Sequence, residues 1–91
     1  MLSIRDYASV MRQKFNAAGF YTSDLSHNYA ETSFEVEKGN SSLICSLMID
    51  GRILFKDSYW GLKIKFESNI NCPIDVMLKK LEVHFVGPGI S

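Results

Sequence analysis

The chain has 91 residues, 46% of them hydrophobic, and its 10 basic and 10 acidic side chains cancel to a formal net charge of zero. That suffices for one domain with an apolar core and excludes a disordered segment. It also lacks the basic excess that phosphate neutralisation asks of a dedicated nucleic-acid binder.

The first element is a helix. Ile4, Tyr7, Ala8, Met11, Phe15 and Ala18 fall on one stripe at helical spacing. Ser3 is placed to cap it, and Asp6 stands where a carboxylate meets the positive end of the helix dipole. Gly19 is the expected left-handed terminator, with Phe20 closing back on Phe15 in a Schellman end. Residues 20–28, FYTSDLSHN, read either as a connection or as a short extra edge strand.

From Ala30 the pattern alternates. Glu31, Ser33, Glu35 and Glu37 take one side, and Thr32, Phe34 and Val36 the other, as in a half-buried strand. KGNS at 38–41 is a turn. In LICSLMIDGRILF, residues 43–55, the Asp50-Gly51 pair between two apolar runs signals a two-residue type I′ hairpin. It would pair Leu43–Ile49 with Arg52–Phe55. Leu43, Cys45, Leu47, Ile49, Ile53 and Phe55 are the expected core face, while Ile44, Met48 and Leu54 point away from it. After DSYWG, residues 57–61, Leu62, Ile64 and Phe66 are expected inward and Lys63, Lys65 and Glu67 outward. Pro73 opens a second helix where its missing N–H costs nothing. Asp75 lies in its first turn, and Ile74, Met77, Leu78, Leu81 and Phe85 form its apolar stripe.

The sequence therefore predicts an α+β fold of order α-β-β-β-β-α. A four-stranded antiparallel β-meander carries an N-terminal and a C-terminal helix packed on one face. Residues 1–86 form this single domain, and 87–91 a flexible C-terminal tail.

The face without helices is the candidate site. Glu31, Glu35 and Glu37 give it an acidic edge, Ile44, Met48 and Leu54 an apolar centre, and Lys56, Lys63 and Lys65 a mostly basic far side. Tyr59 and Trp60, in the turn before the last strand, extend it. A charge-rimmed apolar patch marks an interaction surface, and Tyr and Trp are enriched at interface hot spots.

Chemistry is not indicated. There is no glycine-rich phosphate loop, no paired His or Cys at metal-ligand spacing and no nucleophile elbow. Asp24 and His27 read as a solvated loop. His84, near the end of the second helix, is expected to be favoured as a cation by the dipole. Cys45 reads as a small buried hydrophobe and the chain as a protein of a reducing compartment. The opening MLSIRDYASV is no secretion leader, so the Asn40-Ser41-Ser42 acceptor pattern is accidental. No run approaches the roughly 18 apolar residues of a membrane span. No catalytic, cofactor or metal-binding residues are expected.

The expected function is that of a small cytoplasmic protein-binding module, not an enzyme. It would act as a stoichiometric inhibitor, antidote or adaptor through its sheet face. Anti-CRISPR and other mobile-element inhibitors, toxin-immunity proteins and secretion-type chaperones share its size and lack of catalytic apparatus, which is an analogy of class. Two copies would also fit face to face as a homodimer, with Glu31, Glu35 and Glu37 against Lys63 and Lys65. The alternative is nucleic-acid binding through Lys63, Lys65, Lys79 and Lys80. Helix, antiparallel sheet and helix in that order are similar to double-stranded-RNA-binding architecture.

Overall fold

The computed structural model describes residues 3–57 and 63–86, the last of these by its backbone alone. Tyr59, Trp60, Leu62 and the tail at 87–91 lie outside the described residues. The elements are α1 (Ile4–Ala17), β1 (Tyr21–Thr22), β2 (Ser26–His27), β3 (Glu31–Lys38), β4 (Ser41–Met48), β5 (Arg52–Asp57), β6 (Ile64–Asn69) and α2 (Ile74–Val86). The fold is α+β: one antiparallel sheet, preceded and followed in the chain by a helix, in the order β1-β3-β4-β5-β6, with β2 also paired to β3. Residues 20–28 thus form an interrupted edge, and the sheet has these short strands beyond the expected meander.

Both ends of α1 follow from the sequence. The Ser3 hydroxyl accepts the Asp6 N–H at 3.1 Å. At the other end, Gly19 takes φ +97°. The Gly19 N–H bonds to the Asn16 carbonyl at 3.1 Å and the Phe20 N–H to that of Phe15 at 3.0 Å. These are the paired bonds of a Schellman end, and the Phe15 and Phe20 rings meet at 6.3 Å. Thr22 ties β1 back to the helix, since its hydroxyl donates to Asn16 Oδ1 at 2.9 Å.

One core joins the layers. Met11 and Phe15 of α1, Met77 and Leu81 of α2, and Phe34, Val36, Leu43, Cys45, Leu47, Ile53 and Phe55 of the sheet are buried in a single cluster. Both helices therefore lie on one face. Ile74, Leu78 and Phe85 pack against the same cluster. Pro73 stands just before α2, and its carbonyl accepts the Val76 N–H at 3.0 Å. The Tyr7 hydroxyl donates to the Cys72 carbonyl at 3.3 Å, linking α1 to the start of α2.

The Asp50-Gly51 hairpin differs from the expected type I′ turn. Only Gly51 has positive φ there, +95°. The Gly51 N–H bonds to the Met48 carbonyl at 2.9 Å, so Met48–Gly51 is a type I turn followed by a G1 bulge. The register pairs Leu47 with Ile53 and Cys45 with Phe55. Parity explains the difference. Directly opposed residues share a face, so the odd core residues of β4 must meet odd residues of β5. A two-residue Asp-Gly loop would pair Ile49 with Arg52, odd with even, and set Ile53 against Met48. Taking Ile49 into the loop restores the match. Ile49 accordingly stands in the turn, 72% exposed, and not on the core face. The Asp50 carboxylate accepts the Arg52 N–H at 3.1 Å and its Nε at 2.8 Å, and these bonds hold the carboxyl below the usual carboxylate range.

A second departure lies in β6. Phe66 pairs with Phe55 and Ile64 with Lys56, so Lys65 is an extra residue in a bulge. Phe66 keeps its inward place by stacking on Phe55 at 4.4 Å. The bulge puts Ile64 opposite Lys56, and it is 49% exposed where an inward position was expected.

Candidate protein-binding surface

Among the described residues no element covers the sheet face opposite the helices. The strand register lays out its rows. Glu37 lies between Tyr21 and Ser42. Glu35 meets Ile44, which meets Lys56, which meets Ile64. Ser33 meets Ser46, then Leu54, then Glu67. Glu31 meets Met48, and Arg52 meets Asn69. The expected acidic row of Glu31, Glu35 and Glu37 is thus present, beside Ile44 and Met48.

The centre of the face is more closed than expected. Leu54 is only 6% exposed and Ser46 2%, while Ile44 and Met48 are half-buried. Leu54 therefore does not offer the open apolar surface anticipated for it. It lies outside the main core cluster and is flanked along its own strand by Arg52 and Lys56. Long charged side chains cover apolar neighbours with their stems and keep their heads in water. Glu31, Glu35 and Glu37 are half-buried. Glu31 Oε2 is enclosed without a hydrogen-bond partner.

The basic side is also redrawn. The run Lys63, Lys65, Glu67 does not form the outer row of β6, because Ile64 occupies the position opposite Lys56. Lys65, the bulge residue, lines a cleft of about 230 Å³ with His84, Asn40 and Asp57. Its charge acts on His84: burial first, and Lys65 second, push the imidazole below its ordinary proton affinity. That reverses the expectation of a dipole-favoured cation at the end of α2. Glutamates of a second copy would therefore not find a Lys63–Lys65 row on this face.

A groove of about 590 Å³ runs between β6 and α2, lined by Phe66, Lys79, Lys80, Val83 and His84. Two of the lysines of the nucleic-acid alternative, Lys79 and Lys80, meet here. Lys63 lines neither this groove nor the Lys65 cleft. A third cleft, about 500 Å³, lies where Ser3 and Arg5 of the α1 start face His27, Tyr29 and Thr32.

Reactive groups are dispersed. Asp24 pairs with Arg12 at 3.8 Å, while His27 Nδ1 meets Thr32 Oγ1 at 3.1 Å, so they have separate partners. Burial pushes the Cys45 thiol far up from its ordinary range. No group of three or more His, Cys, Asp or Glu able to hold a metal occurs among the described residues. No described helix is long and apolar enough to cross a membrane.

Comparison with protein-family models, with curated proteins and with solved structures gives no match.

Among the exposed apolar residues that sequence reasoning missed are Tyr21, Ile64 and Val83, exposed by 64%, 49% and 54%. Tyr21 lies in the stretch read as either a connection or an edge strand, and the pairing of β1 with β3 decides its side. Ile64 was not legible, because only the register shift reveals it.

Proposed function

We propose that the protein acts in the cytoplasm by binding another protein through the outer face of its sheet, performing no reaction of its own. The observation that carries this reading is the face itself. Among the described residues no helix covers it, and Glu31, Glu35 and Glu37 on β3 stand across half-buried Ile44 and Met48 from Arg52 and Lys56 on β5. Exposed Tyr21 and Ile64 flank it at the two sides. Charges arranged in this way set the orientation of a partner, while the less polar centre gives up water on contact. The partner that fits places cations over β3 and carboxylates over β5.

A module of this kind works in stoichiometric amounts, as an inhibitor, antidote or adaptor. Mobile-element inhibitors such as anti-CRISPR proteins, and toxin-immunity proteins, are the class to which the reading belongs. The test is affinity capture from cells of origin, with wild type beside a Glu35→Lys, Lys56→Glu variant, followed by mass spectrometry. A protein captured by the wild type and lost by the variant supports the reading. Equal capture by both places the contact elsewhere. Light scattering of the pure protein shows whether the partner is a second copy.

A further inference from the structure

The strand β6 ends the sheet, and the groove beside it is bounded by α2. We propose that this edge and groove form a second binding site, which takes an extended acidic and apolar segment of a protein partner as an added strand.

The backbone comes first. The Ile70 N–H bonds to the Gly51 carbonyl at 3.0 Å. In an antiparallel ladder bonded and non-bonded pairs alternate. Ser68 opposite Ile53 and Phe66 opposite Phe55 therefore turn their N–H and C=O toward β5. Glu67 and Asn69, the residues between, turn theirs away from the sheet. The Asn69 carbonyl is taken by the Cys72 N–H at 3.0 Å. The Glu67 N–H and C=O and the Asn69 N–H are left without partners among the described residues. An unpaired row of this kind is a template for another strand. β1 and β2 divide the opposite edge into short pieces, so among the described residues β6 is the longer free edge.

Side chains give the chemistry. In an added strand every second residue faces α2. There the groove presents Phe66 and Val83, with Lys79 and Lys80 also lining it. Neither lysine has an ion-pair partner among the described residues. Glu82, on the same turn of α2, does not line the groove. Apolar residues at alternate positions fill the groove, and carboxylates among them meet Lys79 and Lys80. Strand addition of this kind draws affinity from main-chain bonds and specificity from the alternate side chains. The site is separate from the outer face and stands or falls without it.

The test uses a fluorescein-labelled, end-blocked peptide of repeated Thr-Val-Thr-Glu, which carries valine and glutamate in turn along one side of the strand, followed by fluorescence anisotropy. Amide chemical shifts should move at Glu67 and Asn69 and along the α2 side of the groove. Lys79→Glu with Lys80→Glu should weaken binding about tenfold, since each rim ion pair contributes at most a few-fold. A peptide N-methylated on its edge-facing amides should bind at least tenfold more weakly to the unchanged protein. Glu67→Pro removes one outward N–H and none of the bonds to β5, and should weaken binding similarly. Lys14→Glu, an exposed charge reversal on α1, should leave binding unchanged. The proposal is overturned if the peptide does not bind at millimolar concentration. It is equally overturned if the N-methylated peptide, or the same peptide with lysine in place of glutamate, binds as well, or if the shifts map to the outer face.

Discussion

Leu54 decides whether the centre of the outer face is part of the structure or an open patch. It is 6% exposed although it points away from the main core. Leu54→Ala removes about three carbons from an almost closed site. At roughly 0.8 kcal/mol for each, the lost transfer energy is about 2 kcal/mol. The cavity contribution should be small, because Arg52 and Lys56 can settle into the space. Leu47, fully buried in the core, should cost more on truncation, about 3–4 kcal/mol, with transfer and cavity contributions together. Ile49→Ala, at a 72% exposed turn residue, should stay within about 0.5 kcal/mol. Urea unfolding followed by circular dichroism measures all three, and equal slopes would show that the unfolded state is unchanged. For a domain of this size the Leu54 effect corresponds to a Tm lower by roughly 8–16 °C. A neutral Leu54→Ala would refute the reasoning, because it would mean the side chain is open to water in solution.

Deleting Ile49 should leave the register intact, because Asp50 and Gly51 then form a two-residue loop between Met48 and Arg52; two-dimensional NMR should show the same β4–β5 pairs, and a shifted ladder would contradict the parity account. In the native state a thiol reagent should label Cys72 and spare Cys45, which is fully buried with its thiol held protonated; native labelling of Cys45 at the unfolded rate would show that the core opens. Because His84 has its proton affinity lowered in the fold, the unfolded chain binds more protons below its ordinary pKa near 6.5. The stability it supports is present above that pH and is lost as pH falls through the folded value; His84→Gln should flatten this part of the urea-midpoint profile, and an identical profile would remove His84 as the cause.

Much of the fold was legible because local chemistry and global packing agree. Ser3, Gly19 and Phe20 fix the two ends of α1 through bonds within a few residues of one another. The alternation from Glu31 to Val36 fixes which side of β3 is buried. The hairpin was misjudged because Asp50-Gly51 is a strong local signal, yet the parity of the core residues on either side requires the longer loop. That conflict was present in the sequence: Leu47 and Ile53 cannot share a face across a two-residue turn. The β6 bulge was not readable. Ile64, Lys65 and Phe66 alternate cleanly, and only the stacking of Phe66 on Phe55 fixes where the extra residue falls. The acidic half of the candidate site was legible from β3 for the same reason that β3 was. Of the basic half, Lys56 was legible from β5, whereas Lys63 and Lys65 were not, because their place depended on the parity of β6.

The central claim is that the outer face binds a protein. Its most direct measurement is isothermal titration of a partner captured from cells of origin against wild type and the Glu35→Lys, Lys56→Glu variant. The variant should fold with the same cooperativity and bind at least tenfold more weakly. Unchanged affinity in a folded variant would contradict the claim.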